Sequence, residues 1–552
     1  MSPPVTNLPQ ALIEKPTATV TRLRSLFLST RGSVLDLEND LVKAISSLST
    51  ALCVTELGLN EGRAYTGTLQ VGQPLWKAIV SSEVLFLLLE NIKDDSFVIQ
   101  SSVWISDVLT CVAGFLSIWL ARVLRTGNKL PVLPITVAQR IISEIDIASK
   151  PLWSRMAIFL NEKQGVPGTP YRILEMLCSI CIDTEMLQVF FMNDDIKALS
   201  RNEFVPITFS AWARIMADGV DDNFKIRQTT TLLKDYWGNH VLGGGKLPKS
   251  DKAPKFDAAI ALVGAPTVLR ACCAQMASPM AVDMWLADIL LLGGIFTTPI
   301  LAQRTALREA FWASPICRTL LEALQRQVQT RGLSLGGGGG TFVRICKLAG
   351  DIIDWVGVGV DHGKCAAVHG RDCLEVLIRL SVFGVHGLRF IGQGASDIDS
   401  LLEKNATTLL SILAKWNFFI GDDSSMDGRG EDFRRVQVQM RTAARDAWYT
   451  TLLRLRALSD TLGKRTDYQN IVACWGALGE NLCLKEDAEK MRHDQQGARL
   501  CSWATCQYYC TPAPNKLSTC KGCREARYCS RECQLSDWKQ GGHRIVCRRV
   551  RS

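Results

Sequence analysis

Residues 34–57 read VLDLENDLVKAISSLSTALCVTEL, with Leu, Val and Ile recurring at three- and four-residue intervals. That spacing gathers the apolar side chains on one stripe of a 3.6-residue helix, so the stretch predicts an amphipathic helix. The pattern returns at 82–92, 103–124, 170–191, 280–292, 306–328, 352–360, 373–382, 397–416 and 436–462. Strict alternation, the mark of a half-buried strand, is scarce. Between these runs lie GGGKLPKSDKAP at 243–254, a glycine-rich run at 332–340 and GDDSSMDGRG at 421–430. Those are loop compositions. The reading is a mainly α fold.

The chain has 552 residues, 47% hydrophobic and 21% charged, the balance of a folded protein and too long for one ordinary core. We expect one long helical domain over 1–483, arranged as an armadillo- or HEAT-like stack, although no repeat of fixed period is visible. Residues 1–480 carry apolar helices and no metal pattern, so they are expected to fold by packing, without the C-terminal segment. Residues 485–499 (KEDAEKMRHDQQGAR) are nearly free of large apolar groups. This makes 484–500 a charged linker or a solvated helix. Two uncharged stretches, 108–121 and 289–303, fall short of the about 20 residues that cross a bilayer, so they read as buried helices and no membrane partner is expected. The opening MSPPVTNLPQ has neither a basic nor an apolar leader segment, and we expect an intracellular protein, in cytoplasm or nucleus.

Several motifs fail on their context. Gly332–Gly336 (GLSLG) matches a serine-nucleophile turn, but polar residues precede it and glycines follow, where a strand and a helix are needed. The run from Gly357 to Cys365 resembles a phosphate loop, yet Val358 stands where the first glycine belongs and Cys365 replaces the magnesium-binding hydroxyl. It reads as a turn between helices. The Asp423–Gly428 loop imitates a calcium site, but Arg434 occupies the position of the bidentate glutamate. Cys178 with Cys181, and Cys272 with Cys273, sit on apolar segments and read as core thiols. His240, His362, His369, His386 and His493 belong to no ligand pattern. No catalytic residue emerges, and the chain is not expected to be an enzyme.

Eight of the twenty cysteines fall in 501–552. From Cys501 to Cys547 the sequence is CSWATCQYYCTPAPNKLSTCKGCREARYCSRECQLSDWKQGGHRIVC. Cys520 and Cys523 form a C-x2-C knuckle that points two thiolates at one ion. Cys529 and Cys533 are four apart, as are His543 and Cys547, so each pair shares one face of a helical turn. Thiolates with one imidazole suit two tetrahedral zinc ions. A segment of about 47 residues can hardly bury a sufficient core, so metal binding is expected to supply most of its folding free energy. The spacing leaves open whether the pairs share ions sequentially or interleaved. The first pair is also open, Cys501 with Cys506 or Cys506 with Cys510.

Residues 501–552 carry a formal +7 of the chain's +9. Seven thiolates on two Zn²⁺ reduce it to about +4, so net charge gives weak support to nucleic acid as a partner.

Cys-x2-Cys, then Tyr528-Cys529-Ser530, Cys533-Gln534, Asp537-Trp538, His543 and Cys547 resemble the MYND zinc finger. The resemblance covers about a tenth of the chain, residues 501–548. It implies interleaved sites, with Cys501, Cys506, Cys529 and Cys533 on one zinc and Cys520, Cys523, His543 and Cys547 on the other. The family's first pair is usually C-x2-C. Cys501 is preferred here because its Cys-x-Trp opening resembles longer-spaced variants, with Cys510 the alternative. Nine residues separate Cys533 from His543 where seven is common, and Gly541 and Gly542 are expected to absorb the excess as a bulge. MYND fingers dock short proline-containing peptides, and Gln534 and Trp538 match positions that contact them. Trp538 packing the mini-core is the competing role. Arg524, Arg527 and Arg531 read as solvated surface. The implied function is a zinc-binding protein-interaction adaptor. The alternatives are a relative of SET lysine methyltransferases, whose Asn-His cofactor motif is missing, and a ubiquitin-ligase component, for which no separate feature speaks.

Overall fold

The computed structural model describes residues 7–36, 38–52, 74–126, 133–161, 171–192, 204–219, 227, 229–231, 233, 253–295, 305–331, 339–364, 366–389, 391, 396–421, 430–496, 499–504, 506–509, 513–541 and 543–547. The fold is mainly α, and it divides into two compact units, Met1–Ala271 and Cys272–Ser552.

In the first unit the helix Ser102–Thr126 packs between Asp40–Leu52 and Arg172–Met192. Every side chain from Trp104 to Leu120 is buried, which is why this sequence is apolar all round rather than striped. By length and composition Ser102–Ala121 could cross a membrane, yet 89% of that window is buried against protein. The stretch 34–57 becomes a helix that starts later than its periodicity predicts. The helix begins at Asp40, because the Leu41 amide donates to Asn39 Oδ1 (2.9 Å) and the Leu35 amide to Gln100 Oε1 (2.9 Å). Side-chain acceptors thus hold Leu35 and Asn39 out of the helix. Residues 53–57 lie outside the described ones.

In the second unit Gly339–Asp361 packs on Asp283–Ile295 and on Ser396–Gly421, and the latter packs on Thr466–Asn481. Gly370–Leu388 lies against Gly430–Arg456. Two tryptophans lock the helices Gly430–Arg456 and Thr466–Asn481 reciprocally: Trp448 Nε1 donates to the Trp475 carbonyl (2.8 Å) and Trp475 Nε1 to the Trp448 carbonyl (3.2 Å). The approach needs Gly479, where a β-carbon would stand 2.2 Å from the Trp448 ring.

The 484–500 segment contains the helix Glu486–Gln496, which packs along Gly430–Arg456. Glu489 on it is buried and paired with Arg492 (2.6 Å), and His493 meets the Tyr449 ring edge-on at 5.5 Å. Beyond it, the only sheet among the described residues is a two-residue antiparallel pair, Ser518–Thr519 with Arg527–Tyr528.

Candidate metal centre

Each ligand pair is placed by local structure. The loop that carries Cys501 and Cys506 is closed by Cys501 N–H to the Tyr508 carbonyl (2.8 Å) and Cys506 N–H to the Trp503 carbonyl (2.9 Å). It is tied to the sheet by Ser502, whose amide donates to the Arg527 carbonyl and whose hydroxyl accepts from the Arg527 amide (2.8 Å). Cys529 precedes the helix Arg531–Lys539, and Cys533 lies in its first turn. Ser530 caps that helix by accepting from the Cys533 amide (3.2 Å).

The second set begins at the knuckle after Ser518–Thr519. Cys520 N–H donates to the Ala526 carbonyl and Arg524 N–H to the Cys520 carbonyl (2.8 and 2.9 Å), with Arg524 in the left-handed region at φ 58°. Gly522 leaves room for metal ligation, since a β-carbon there would lie 2.8 Å from Cys547 Sγ. His543 and Cys547 share one turn, closed by Cys547 N–H to the His543 carbonyl (2.8 Å).

The side chains converge in two groups: Cys501, Cys506, Cys529 and Cys533, and Cys520, Cys523, His543 and Cys547. Within each group the ligand atoms lie within 4.8 Å of one another. Sulfur–sulfur separations are 3.4 Å for Cys506–Cys529, 3.5 Å for Cys529–Cys533 and 3.8 Å for Cys520–Cys547. His543 Nε2 stands 3.3 Å from Cys520 Sγ and 3.7 Å from Cys523 Sγ. Four zinc bonds of about 2.3 Å to sulfur, or about 2.0 Å to nitrogen, give tetrahedron edges of roughly 3.5–3.8 Å. The two sets therefore fit two zinc ions, interleaved along the chain. Among the described residues Cys501 joins Cys506 in the first set; Cys510 and Gly542 lie outside them.

Metal-free clusters hold few negative charges, because thiolates this close repel. A hydrogen bond from Cys506, outweighing burial, brings Cys501 down to about 6, while Cys506 is pushed far up by the same partnership. Burial raises Cys520, but the Cys523 amide, His543 and the Gly522 amide bring it to about 6. Burial leads in lifting Cys533 to about 12 and Cys547 to about 11. Zinc uptake near pH 7 should thus expel protons from Cys506, Cys533 and Cys547 among the seven thiol ligands, at least three per chain. The loaded state binds fewer protons, so zinc affinity should fall as pH falls. Titration calorimetry in buffers of different ionisation enthalpy measures this directly, and a proton count near zero would contradict it.

Around the ligands sits a small core of Trp503, Tyr509, Leu517 and Tyr528, all buried. The Tyr528 hydroxyl donates to Asp537 Oδ2 at 2.8 Å. Burial lifts the Asp537 carboxyl above its ordinary value, against the pull of Arg454 on the helix Gly430–Arg456. Sequence reasoning missed Asp537 as a buried hub and missed Arg454 altogether. Trp538 is 41% exposed, with its ring edge-on to the zinc-ligating His543 at 5.9 Å. Gln534, one turn earlier, is half-buried. Arg524 and Arg531 are exposed and Arg527 half-buried.

The rejected motifs stay apart from this centre. Cys178, Cys181, Cys272 and Cys273 are buried, and burial pushes Cys178 up to about 12 and Cys273 to about 11. Gly357 and Gly359 lie inside the helix Gly339–Asp361, with the turn beginning only at His362. The GLSLG motif, the Asp423–Gly428 loop, Cys365 and His240 lie outside the described residues.

No curated protein matches the chain. Among solved structures it is similar to an engineered protein from the Northeast Structural Genomics Consortium, at 12% identity over 84% of this chain and 98% of that one. The TM-score of 0.22 carries no structural argument. The family model of the MYND finger matches residues 504–547. That match begins after Cys501, which the thiol cluster nevertheless includes. Two interleaved ligand sets, on the spacing the family model matches, make residues 501–547 of this chain a MYND-type zinc finger.

Proposed function

We propose that the chain is a non-enzymatic, intracellular adaptor, whose finger docks a proline-containing peptide of a partner protein while the helical region, stacked helix on neighbouring helix, serves as scaffold. MYND fingers are zinc-binding interaction modules. The single observation that supports a docking surface on this one is the outer face of the helix Arg531–Lys539. Leu535 and Trp538 are 46% and 41% exposed there, one turn apart, on a short helix that carries Cys533 of the first zinc site and ends four residues before His543 of the second. A rigid indole face beside Gln534 suits an extended proline segment, which loses little freedom on binding. Closed tetrahedral sites leave no open metal position for chemistry, in keeping with a binding role.

A screen of proline-containing peptides against the zinc-loaded protein tests the reading. Trp538→Ala should weaken binding of a hit by about 2 kcal/mol, the scale of an aromatic hot spot, with both zinc ions retained. The zinc measurement is essential because Trp538 also touches His543. Loss of zinc in Trp538→Ala would assign the ring to the mini-core. Absence of any binder at millimolar peptide would move the partner surface away from the finger.

A further inference from the structure

The finger shares its compact unit with helices that lie more than a hundred residues earlier. Arg379 sits in the middle of the helix Gly370–Leu388, in the apolar run LEVLIRLSVF, and is only 4% exposed. Its Nη1 donates to the carbonyl of Ala504 at 2.9 Å. Ala504 lies between Cys501 and Cys506, so a guanidinium from the helical region supports the loop that presents two ligands of the first zinc. A second contact comes from Arg454, whose guanidinium carbon lies 4.3 Å from the centre of the buried Tyr509 ring. Its charge also acts on Asp537, the acceptor of Tyr528. Beside Arg454 a cavity of about 290 Å³ is lined by Val385, His386 and Leu455 from the helices and by Ala504, Asp537 and His543 from the finger.

We infer that the finger and the helices Gly370–Leu388 and Gly430–Arg456 fold as one zinc-linked body, with Arg379 as the positioning residue for the first zinc loop. A buried guanidinium is tolerated only while its hydrogen bonds are satisfied. The Ala504 carbonyl is held in place by the loop, and the loop is held by Cys501 and Cys506 on the metal. Removing zinc frees the loop and takes an acceptor from Arg379, so the helices loosen. Linkage makes the effect reciprocal: if zinc steadies the helices by some factor, the docked helices raise zinc affinity by the same factor. The helical region then senses whether the finger is loaded, and what it binds becomes zinc-dependent.

The test uses the full chain in two arms. In the first, hydrogen–deuterium exchange is measured on the unaltered protein with zinc and after chelation. Exchange in Gly370–Leu388 and Gly430–Arg456 should quicken about tenfold or more, while Ser102–Thr126 in the other unit stays as protected as before. Unchanged exchange in the two helices would overturn the inference, as would equal loosening of Ser102–Thr126. In the second arm, Arg379→Met and Arg379→Lys are compared by competition with a chromophoric chelator. Arg379→Met should give up its first zinc at about tenfold lower chelator concentration, and Arg379→Lys should recover part of the loss. Wild-type zinc retention in a folded Arg379→Met would overturn it. Should that variant fail to fold, the first arm decides alone.

Discussion

Cys523→Ser should reduce the zinc content of the protein from two ions to one or none and unfold the finger. Serine is a poor zinc ligand, and the second site would keep only Cys520, His543 and Cys547. A structural zinc site contributes about 10–16 kcal/mol of apparent binding free energy to its fold at neutral pH, far more than the buried Trp503, Tyr509, Leu517 and Tyr528 can replace. Interleaving spreads the damage. The segment that joins Cys523 to His543 contains Cys529 and Cys533, so slack in the second site reaches half of the ligands of the first. Elemental analysis and the near-ultraviolet signal of the finger aromatics would show it; two ions retained would contradict the ligand assignment. The same measurement separates the candidates for the first pair. Cys501→Ser should release an ion and Cys510→Ser should release none, because Cys501 lies with Cys506, Cys529 and Cys533. The reverse result would give the place to Cys510.

The ligands were legible because zinc chemistry acts through spacing. A knuckle at Cys520 and Cys523 and two helical pairs at Cys529–Cys533 and His543–Cys547 write the geometry into the residue numbers. Helical class was legible for a similar reason, since periodicity is local. Interleaving was not, because it depends on how the loops cross in space; it came from family likeness. The docking of the finger also depends on contacts between distant segments. One clue was present: Arg379 is a lone cation in an apolar helical run, and a charge in that setting needs a buried partner. The sequence names the need without naming Ala504, 125 residues away. The expectation that the helical region folds by packing alone had no means of registering such a contact. Boundaries failed for smaller reasons. At 34–57 the periodicity continues backwards past Asp40, and the side chains of Asn39 and Gln100 end it.

Trp475→Ala should destabilise the second unit by about 3–5 kcal/mol, the cost of removing a large buried aromatic when the neighbours cannot close the space. Trp475 is fully buried on the helix Thr466–Asn481, which packs against Ser396–Gly421 and Gly430–Arg456. Its own ring donor to the Trp448 carbonyl would be lost. The opposite bond would survive, since Trp448 donates to the backbone carbonyl of residue 475, which alanine retains. Most of the loss is therefore cavity and dispersion, not hydrogen bonding. Collapse into the space is hindered because the Trp448 ring is already fixed against the backbone at Gly479. Trp475→Phe should cost distinctly less, as it refills most of the volume. With two compact units in the chain, a single unfolding midpoint is not a sound readout. Exchange protection of amides in Gly430–Arg456 reports the second unit alone, and a fall equivalent to less than about 1 kcal/mol would show that the helices repack after all. The consequence extends to the metal centre, because Gly430–Arg456 is the helix that carries Arg454 to Tyr509. A core substitution more than twenty residues before the first zinc ligand should then make the finger easier to strip by chelation, while Trp475→Phe leaves it close to normal.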